Sequence, residues 1–151
     1  MNERMINFYM TLTQTCADMS RAIKLKVGCV IVKNDNINSF SWNGTPTGWD
    51  NACEKIADVD VNDPRYNYNN FSWELVTKDE VIHAEANAIL KLAKDGESGN
   101  GADLFCTHAP CIHCAKLIYG AGIRKVFYRE DYKSTDGLDF LNKCNIEIEK
   151  V

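Results

Sequence analysis

The sequence lacks any long apolar run, with no stretch of about 18 apolar residues, so no membrane-spanning helix is expected. Basic residues are also in the minority, with 17 Lys and Arg against 21 Asp and Glu and a formal net charge of −4. Proteins that bind long nucleic acids usually carry a basic face, so no long RNA or DNA partner is expected. The opening residues lack the apolar core of a secretory signal. Together with an odd number of cysteines, seven, this predicts a reducing cytoplasmic location in which thiols serve as metal ligands or core residues.

The composition is that of one ordinary globular domain. Apolar residues make up 45% of the chain and charged residues 25%. A chain of 151 residues is long enough to form a single core. No internal repeat or low-complexity segment is visible. We therefore expect one domain over 1–151, with a long insertion at about 49–78.

A helix and a strand pair are predicted in the N-terminal third. Apolar residues recur at helical spacing over 2–19, which predicts an amphipathic helix. The run 27–32 is apolar enough for a buried strand, 34–36 has the composition of a turn, and 37–42 fits a returning strand. These three segments predict a β-hairpin.

Three loop segments follow or precede that hairpin. The basic stretch 21–26 is either a solvated loop or part of a phosphate site. The segment N-G-T-P-T-G at 43–48 is either a turn or a loop whose backbone N–H groups and Asn43 amide contact a ligand. Residues 49–78 are polar and irregular, and loops of this length are usually functional or disordered. The aromatic residues within this insertion favour order: Trp49, Tyr66, Tyr68, Phe71 and Trp73.

Helices alternate with strands in the second half of the chain. The predicted helices cover 84–94, 111–121 and a segment capped by Ser134 or Thr135 that runs through 141. The predicted strands cover 101–107, 124–128 and 144–149. Helical crossovers join parallel strands, whereas the hairpin is antiparallel. We therefore expect an α/β fold, a three-layer α/β/α sandwich with a five-stranded mixed sheet.

Two short motifs carry the candidate chemistry: H-A-E, which begins at His83, and P-C-I-H-C, which contains Cys111 and Cys114. Two cysteines three residues apart at a helix start lie on one face, and the positive end of the helix dipole lowers their pKa. His83 is the obvious third ligand for Zn²⁺. No fourth ligand is obvious nearby, which favours an open catalytic site over a closed structural one. Glu85 is the candidate proton acceptor for a water activated there.

Two other interpretations of these motifs stay open at this point. A C-x-x-C pair before a helix also occurs in thioredoxin-like redox proteins, although that role would leave His83 and Glu85 without a function. A structural zinc could instead recruit His108 or His113 as its fourth ligand. Residues i and i+2 lie roughly 200° apart on a helix, so spacing alone does not bring His83 and Glu85 to one metal.

The order H-x-E and then P-C-x-x-C is the signature of zinc-dependent nucleobase deaminases. The chain resembles the cytidine deaminase superfamily and, within it, the dCMP deaminase family. The N-G-x-P-x-G loop and the long insertion before H-A-E distinguish this family from free-base and nucleoside deaminases. The resemblance places His83 at the very start of its helix. The matching stretches are 26–32, 43–48, 82–89 and 110–116.

This resemblance implies hydrolysis of dCMP to dUMP and ammonia, which supplies dUMP for dTTP synthesis. One Zn²⁺ would be held by His83, Cys111 and Cys114. Glu85 would take a proton from the attacking water and pass it to ring N3, while water adds at C4 and ammonia leaves. Zinc would remain bound in a Glu85 variant, because Glu85 is not a ligand.

The nucleotide-binding residues are also implied by the resemblance. The backbone of Ala84 and of 107–109 would position the pyrimidine edge, and Asn43 would hold the sugar–phosphate end. For the 5′-phosphate the candidates are Arg21, Lys26 and Tyr132, each of which could equally be an ordinary surface residue.

Regulation and assembly follow from the same resemblance. The family is hexameric, with dCTP and Mg²⁺ as activator and dTTP as inhibitor. The loop that contains Thr45 and the insertion are then expected to form the regulatory site. Some relatives carry a second, structural zinc near the insertion. Here the insertion has Cys53 but no histidine, so one zinc per chain is expected.

Other functions are weighed against this one. Another enzyme of the superfamily could act on dCTP, a nucleoside or tRNA, although the acidic balance argues against tRNA and the N-G-x-P-x-G loop against a nucleoside. A non-catalytic zinc module that presents the insertion to a partner is the alternative from a different class.

Overall fold

The computed structural model describes residues 1–57 and 74–151. Within these ranges a five-stranded sheet is flanked by four helices, and a separate pair of short strands lies in the insertion. In chain order the elements are α1 (Glu3–Asp18), β1 (Gly28–Lys33), β2 (Asn36–Trp42), β3 (Glu54–Ile56), β4 (Leu75–Thr77), α2 (Ala84–Asp95), β5 (Asp103–His108), α3 (Ile112–Gly120), β6 (Lys125–Glu130), α4 (Asp136–Lys143) and β7 (Glu147–Lys150).

The strand order of the main sheet is β2-β1-β5-β6-β7. Strand β1 pairs antiparallel with both β2 and β5, whereas β5, β6 and β7 are parallel and are joined through α3 and α4. Because Cys29 lies opposite Cys106, β1 begins where β5 ends. The loop before β1 and the loops after β2, β5 and β6 therefore meet at one edge of the sheet. The predicted mixed five-stranded sheet is confirmed.

The helices cover both faces of this sheet, as predicted. On one face α1 contributes to a buried cluster in which Phe105 and Phe127 stack with ring centroids 4.6 Å apart. On the other face, α2, α3 and α4 pack over the strand side chains that alternate with Phe105 and Phe127. Burial of both apolar faces is what stabilises a sheet between two helical layers. No helix in the described parts of the chain is long and apolar enough to cross a membrane.

The first hairpin turns at Asn34 and Asp35, which have φ angles of 52° and 60°. Two consecutive left-handed residues are what a tight hairpin turn requires, and Asn and Asp tolerate that conformation better than other residues with side chains. The Tyr9 hydroxyl donates a hydrogen bond to the Asp35 carbonyl at 3.0 Å, which ties α1 to this turn.

The prediction that 49–78 is irregular is wrong for two short segments. Glu54 pairs with Thr77 and Ile56 with Leu75, so β3 and β4 form an antiparallel ribbon. Strands of three residues are too short for a recognisable alternation of side chains, and their pairing joins distant parts of the insertion. Trp49 is 60% exposed, so it does not pack in the way its aromatic ring predicts. The other aromatic residues, Tyr66, Tyr68, Phe71 and Trp73, lie outside the described residues.

The helix ends fall close to their predicted positions. Helix α2 stops at Gly96, whose φ of 74° is the left-handed conformation that glycine adopts freely. Helix α3 starts one residue later than predicted, because Cys111 is its extended N-cap residue. The predicted cap of α4 is confirmed, since Thr135 is its N-cap and the Ser134 hydroxyl accepts from the Asp136 N–H at 3.2 Å.

Candidate active site

The start of α2 is fixed on the sheet by two buried serines of β2. The Ser41 hydroxyl donates to the Ala84 carbonyl at 2.5 Å, and the Ser39 hydroxyl donates to the Ala88 carbonyl at 2.9 Å. His83 is the N-cap residue with extended backbone, and its side chain makes no capping hydrogen bond. The helix therefore begins with the imidazole outside its first turn and Glu85 inside it. The placement of His83 implied by the resemblance is confirmed.

The start of α3 is shaped by a close approach of α4. Gly137 is buried, and a Cβ atom at that position would overlap the carbonyl oxygen of Pro110 and lie 2.9 Å from the carbonyl carbon of Cys111. Only a residue without a side chain fits against this turn. The lack of a side chain at Gly137 thus lets α4 support the segment that presents Cys111.

The side chains of His83, Cys111 and Cys114 converge between the two helix starts. Their candidate ligand atoms all lie within 4.8 Å of one another, and His83 Nδ1 lies 3.5 Å from each sulfur. A tetrahedral Zn²⁺ with bonds of about 2.3 Å to sulfur and about 2.0 Å to nitrogen places those atoms about 3.5 Å apart. The donor types and their spacing therefore fit zinc.

The cluster offers three donors, which is the count of an open site. Neither His108 nor His113 belongs to it, and no fourth His, Cys, Asp or Glu joins it among the residues that the structure describes. A structural zinc is almost always held by four protein ligands. The arrangement of these side chains thus leaves one position for water or substrate.

The two thiols behave as a coupled pair. The hydrogen bond from the Cys114 thiol, with a smaller contribution from His83, lowers the pKa of Cys111 to about 3. The same hydrogen bond to Cys111, together with burial, raises the pKa of Cys114. The bond to Cys111 also raises the pKa of His83 against the opposing effect of burial. Thiolate is the form of cysteine that binds a metal ion, and the lowered pKa of Cys111 favours that form.

Glu85 lies beneath this cluster and is only 4% exposed. Burial raises the pKa of its carboxyl group, while the backbone N–H of Glu85 and the nearby His83 lower it. Its carboxylate also lies within hydrogen-bond reach of the Cys114 thiol. A carboxyl group with a raised pKa in a cavity is suited to accept a proton and release it again.

A cavity of about 510 Å³ opens over these residues. Three of the six predicted nucleotide-binding residues line it, namely Asn43, Ala84 and Tyr132. The other three, Arg21, Lys26 and Thr45, are not among its lining residues. Its wall also includes Lys24, Glu54, His108, Glu130, Asp131 and Lys133.

The family profile described as "Cytidine and deoxycytidylate deaminase zinc-binding region" matches residues 4–130. The chain belongs to this deaminase family. It is therefore an enzyme of the hydrolase class, as the family resemblance implied.

Relatives of this deaminase include proteins from phages and bacteria. The deoxycytidylate deaminase of Enterobacteria phage T4 is 35% identical over 85% of this chain and 80% of the phage protein. ComE operon protein 2 of Bacillus subtilis is 31% identical over 95% of this chain and 69% of that protein. The dCMP deaminase of cyanophage S-TIM5, solved in complex with dCMP and dUMP, is 38% identical. It covers 100% of this chain and 99% of its own, with a TM-score of 0.84.

Asn43 of this deaminase is already engaged by the neighbouring loop. Its amide oxygen accepts from the Val27 N–H at 2.9 Å, and its amide nitrogen donates to the Leu25 carbonyl at 2.8 Å. The backbone carbonyl of Asn43 also accepts a hydrogen bond from the Ser20 hydroxyl at 2.8 Å. Asn43 thus holds the basic loop at the rim of the cavity, a role that the sequence does not reveal.

Glu54 is a second residue whose contact the sequence does not reveal. One of its carboxylate oxygens accepts hydrogen bonds from the backbone N–H groups of Ile23 and Lys24, at 3.0 and 3.1 Å. The ribbon of the insertion is thereby attached to the loop that brings Lys24 to the cavity. The basic character of 21–26 is a signal for this loop but does not select Lys24 over its neighbours, because an irregular backbone has no fixed side-chain period.

Proposed function

We propose that this deaminase converts dCMP to dUMP and ammonia by zinc-dependent hydrolysis. The observation that carries the proposal is the convergence of His83, Cys111 and Cys114 above the buried Glu85 carboxylate, at the base of a cavity of nucleotide size. The full-length similarity to a cyanophage dCMP deaminase solved with dCMP and dUMP supports this choice of substrate.

In this proposal the three converging side chains of His83, Cys111 and Cys114 hold one Zn²⁺ per chain. When bound, zinc lowers the pKa of a coordinated water from 15.7 to about 7. Glu85 accepts a proton from the attacking water and delivers it to ring N3. Burial disfavours the charged carboxylate and raises the pKa of Glu85, so Glu85 is a stronger proton acceptor than a carboxylate in water and can hold the proton between the two transfers. The water oxygen adds at C4, and its remaining proton passes through Glu85 to the exocyclic amine, which leaves as ammonia while C4 becomes a carbonyl.

The remaining lining residues would bind the rest of the nucleotide. The Ala84 backbone lies beside Glu85 and would contact the pyrimidine edge. Lys24 and Lys133 are the cations on the cavity wall and would attract the 5′-phosphate, together with Tyr132. Asn43 would act through the loop that it holds.

We also propose the regulation, assembly and location that the family suggests: activation by dCTP with Mg²⁺, inhibition by dTTP, a homohexamer, and a cytoplasmic site of action supplying dUMP for dTTP synthesis. Contacts in the described part of the insertion attach it to the loop that contains Thr45. The Thr45 hydroxyl donates to the Asp50 carbonyl at 2.5 Å, and Lys78 pairs with the Asp50 carboxylate at 3.3 Å. Calorimetry that detects no dTTP binding would contradict this part.

An ammonia-release assay on dCMP, dCTP, CMP and deoxycytidine, with and without added dCTP and dTTP, tests the activity. We expect dCMP to be the preferred substrate. If dCTP or deoxycytidine were turned over faster than dCMP, that compound would be the proposed substrate instead. If the zinc-loaded protein turned over none of the compounds, a non-catalytic module would be favoured. Metal analysis is expected to give one zinc per chain, and two would contradict the proposed ligand set.

A further inference from the structure

A short chain of hydrogen bonds ends at a histidine in the cavity wall. The backbone N–H of Gly28 donates to the Thr107 hydroxyl oxygen at 3.2 Å. The same oxygen lies 3.0 Å from His108 Nδ1. Thr107 is only 2% exposed, whereas His108 is half-buried and lines the cavity that also contains Glu85. The chain thus links the start of β1 to the end of β5 at the edge where the site lies.

The direction of these bonds favours one protonation state of the imidazole. A backbone N–H can only donate, so Thr107 accepts from Gly28. The Thr107 hydroxyl still carries a hydrogen, and a buried donor is nearly always paired. His108 Nδ1, at 3.0 Å, lies within reach of that hydrogen. An Nδ1 that accepts leaves a neutral ring with its hydrogen on Nε2.

The surroundings of His108 favour this neutral form. Burial lowers the pKa of His108, although the nearby Glu130 carboxylate acts in the opposite direction. His108 and Glu130 are partners across the parallel pair of β5 and β6, and the loop after Glu130 carries Lys133 to the cavity. His108 and Lys133 therefore line the same cavity as the metal-binding residues His83 and Cys111. The Nε2–H group is turned away from Thr107.

We propose that His108 is a specificity-determining residue whose Nε2–H donates a hydrogen bond to an oxygen of the deoxyribose–phosphate part of the nucleotide, with Thr107 as the positioning residue that fixes its tautomer. This inference rests on the proposed function, because it names a contact to that substrate. A neutral donor holds an oxygen in place without adding a further positive charge close to the metal.

The tautomer is tested first, on the zinc-loaded full-length protein without substrate. Nitrogen-15 NMR distinguishes a protonated from an unprotonated ring nitrogen, and the chain has three histidines, so the His108→Gln spectrum identifies the His108 signals. We expect a protonated Nε2 and an unprotonated Nδ1. A Thr107→Val variant should lose this pattern, and Thr107→Ser should keep it. A protonated Nδ1 in the unmodified protein would overturn the inference.

The contact to the nucleotide is tested with two neutral amides. In His108→Gln the amide nitrogen reaches the position of Nε2, whereas the shorter amide of His108→Asn reaches only the position of Nδ1, where its oxygen can accept from the Thr107 hydroxyl and no donor replaces Nε2–H. We expect the KM for dCMP to rise about tenfold in the Asn variant, with kcat changed less than about twofold, and to stay within about threefold in the Gln variant. His113→Gln, on the exposed side of α3, is the matched control.

The outcomes separate this inference from the proposed function. Equal KM values for the Asn and Gln variants, with unchanged zinc content and melting temperature, would overturn the contact while leaving dCMP turnover by the unmodified protein intact. A parallel loss of kcat and thermal stability in both variants would assign His108 a structural role and also overturn it. Absence of dCMP turnover in the unmodified protein would remove the proposed function and with it the contact, whereas the tautomer measurement would still decide the role of Thr107.

Discussion

Two regions of the molecule are built in different ways. One comprises the helix starts that carry the candidate metal ligands, and the other is the insertion that borders the cavity. The first region is held by buried contacts, namely the Ser41 hydroxyl on the Ala84 carbonyl and the close packing of Gly137 on Pro110. The insertion is held by exposed polar contacts such as that of Glu54 with the loop at 23–24. Buried packing tolerates little change, whereas exposed polar contacts can exchange with water at small cost. The difference suits a fixed reaction centre beside an adjustable rim.

The largest effect is expected at the centre itself. Glu85→Gln keeps the shape of the side chain but removes the proton acceptor, so kcat should fall about 10²- to 10⁴-fold while one zinc per chain is retained. Ammonia release and metal analysis measure the two quantities. Glu97→Gln, an exposed residue after α2, is the control and should leave both unchanged. A Glu85→Gln variant within about tenfold of normal kcat would exclude Glu85 as the proton carrier.

The next largest effect should come from the packing beneath the metal-binding turn. Gly137→Ala forces Pro110 and Cys111 to shift, because the added methyl group overlaps the Pro110 carbonyl. We expect a loss of about 1–3 kcal/mol in the free energy of unfolding and weaker zinc binding. Gly120→Ala is a matched control, since a methyl group there meets no atom within 4 Å. Equal melting temperatures and zinc affinities for the two variants would show that the turn is not held by α4.

At the rim, a change should affect substrate binding more than catalysis. Glu54→Gln weakens the bonds to the backbone N–H groups of Ile23 and Lys24, so Lys24 is held less firmly at the cavity. We expect the KM for dCMP to rise about threefold to tenfold with kcat nearly unchanged. Glu74→Gln, an exposed residue on the same ribbon, serves as the control. If kcat instead of KM changed, the rim would take part in the chemistry and the contrast between the two regions would fail.

The smallest effect is expected from the outer ion pair of the insertion. Lys78→Gln keeps most of the aliphatic part of the 19% exposed Lys78 side chain but removes its ion pairs with Asp50, which is 73% exposed, and with Glu80. Such pairs contribute about 0–1 kcal/mol, so the melting temperature should change by no more than about 4 °C, and less at high salt. Turnover of dCMP without effectors should stay the same. A larger thermal shift that persists in high salt would mean that the insertion is as firmly built as the metal-binding region.

The sequence predicts best those helices in which the spacing of apolar residues and the residue that ends the helix agree. Helix α2 was expected over 84–94 and extends to Asp95, because helical spacing of apolar residues ends at Gly96, where a left-handed residue is required. Cys111 and Cys114 could likewise be selected because the C-x-x-C spacing at a helix start brings two sulfur atoms together, whereas the placement of His83 at its helix start came from the family resemblance. In a regular helix or strand, the spacing of two residues along the sequence determines whether their side chains lie close together.

Other features depend on contacts between segments that have no regular period. Lys24, rather than Arg21 or Lys26, lines the cavity, because Glu54 and Asn43 set the course of the loop from outside it. The pairing of Glu54 with Thr77 likewise joins segments far apart in the chain. Three-residue strands and side chain to backbone bonds leave no trace in hydrophobic periodicity, so the sequence does not predict them.

The antiparallel position of β1 between β2 and β5 has a practical consequence. It sends the hairpin turn at Asn34 and Asp35, and the connections at 96–102 and 121–124, to the edge of the sheet remote from the reaction centre. A fluorescent label or a fused domain attached at that end would sit a full strand length from the nucleotide. We therefore expect attachment at this end, for immobilisation or single-molecule work, to leave turnover unchanged.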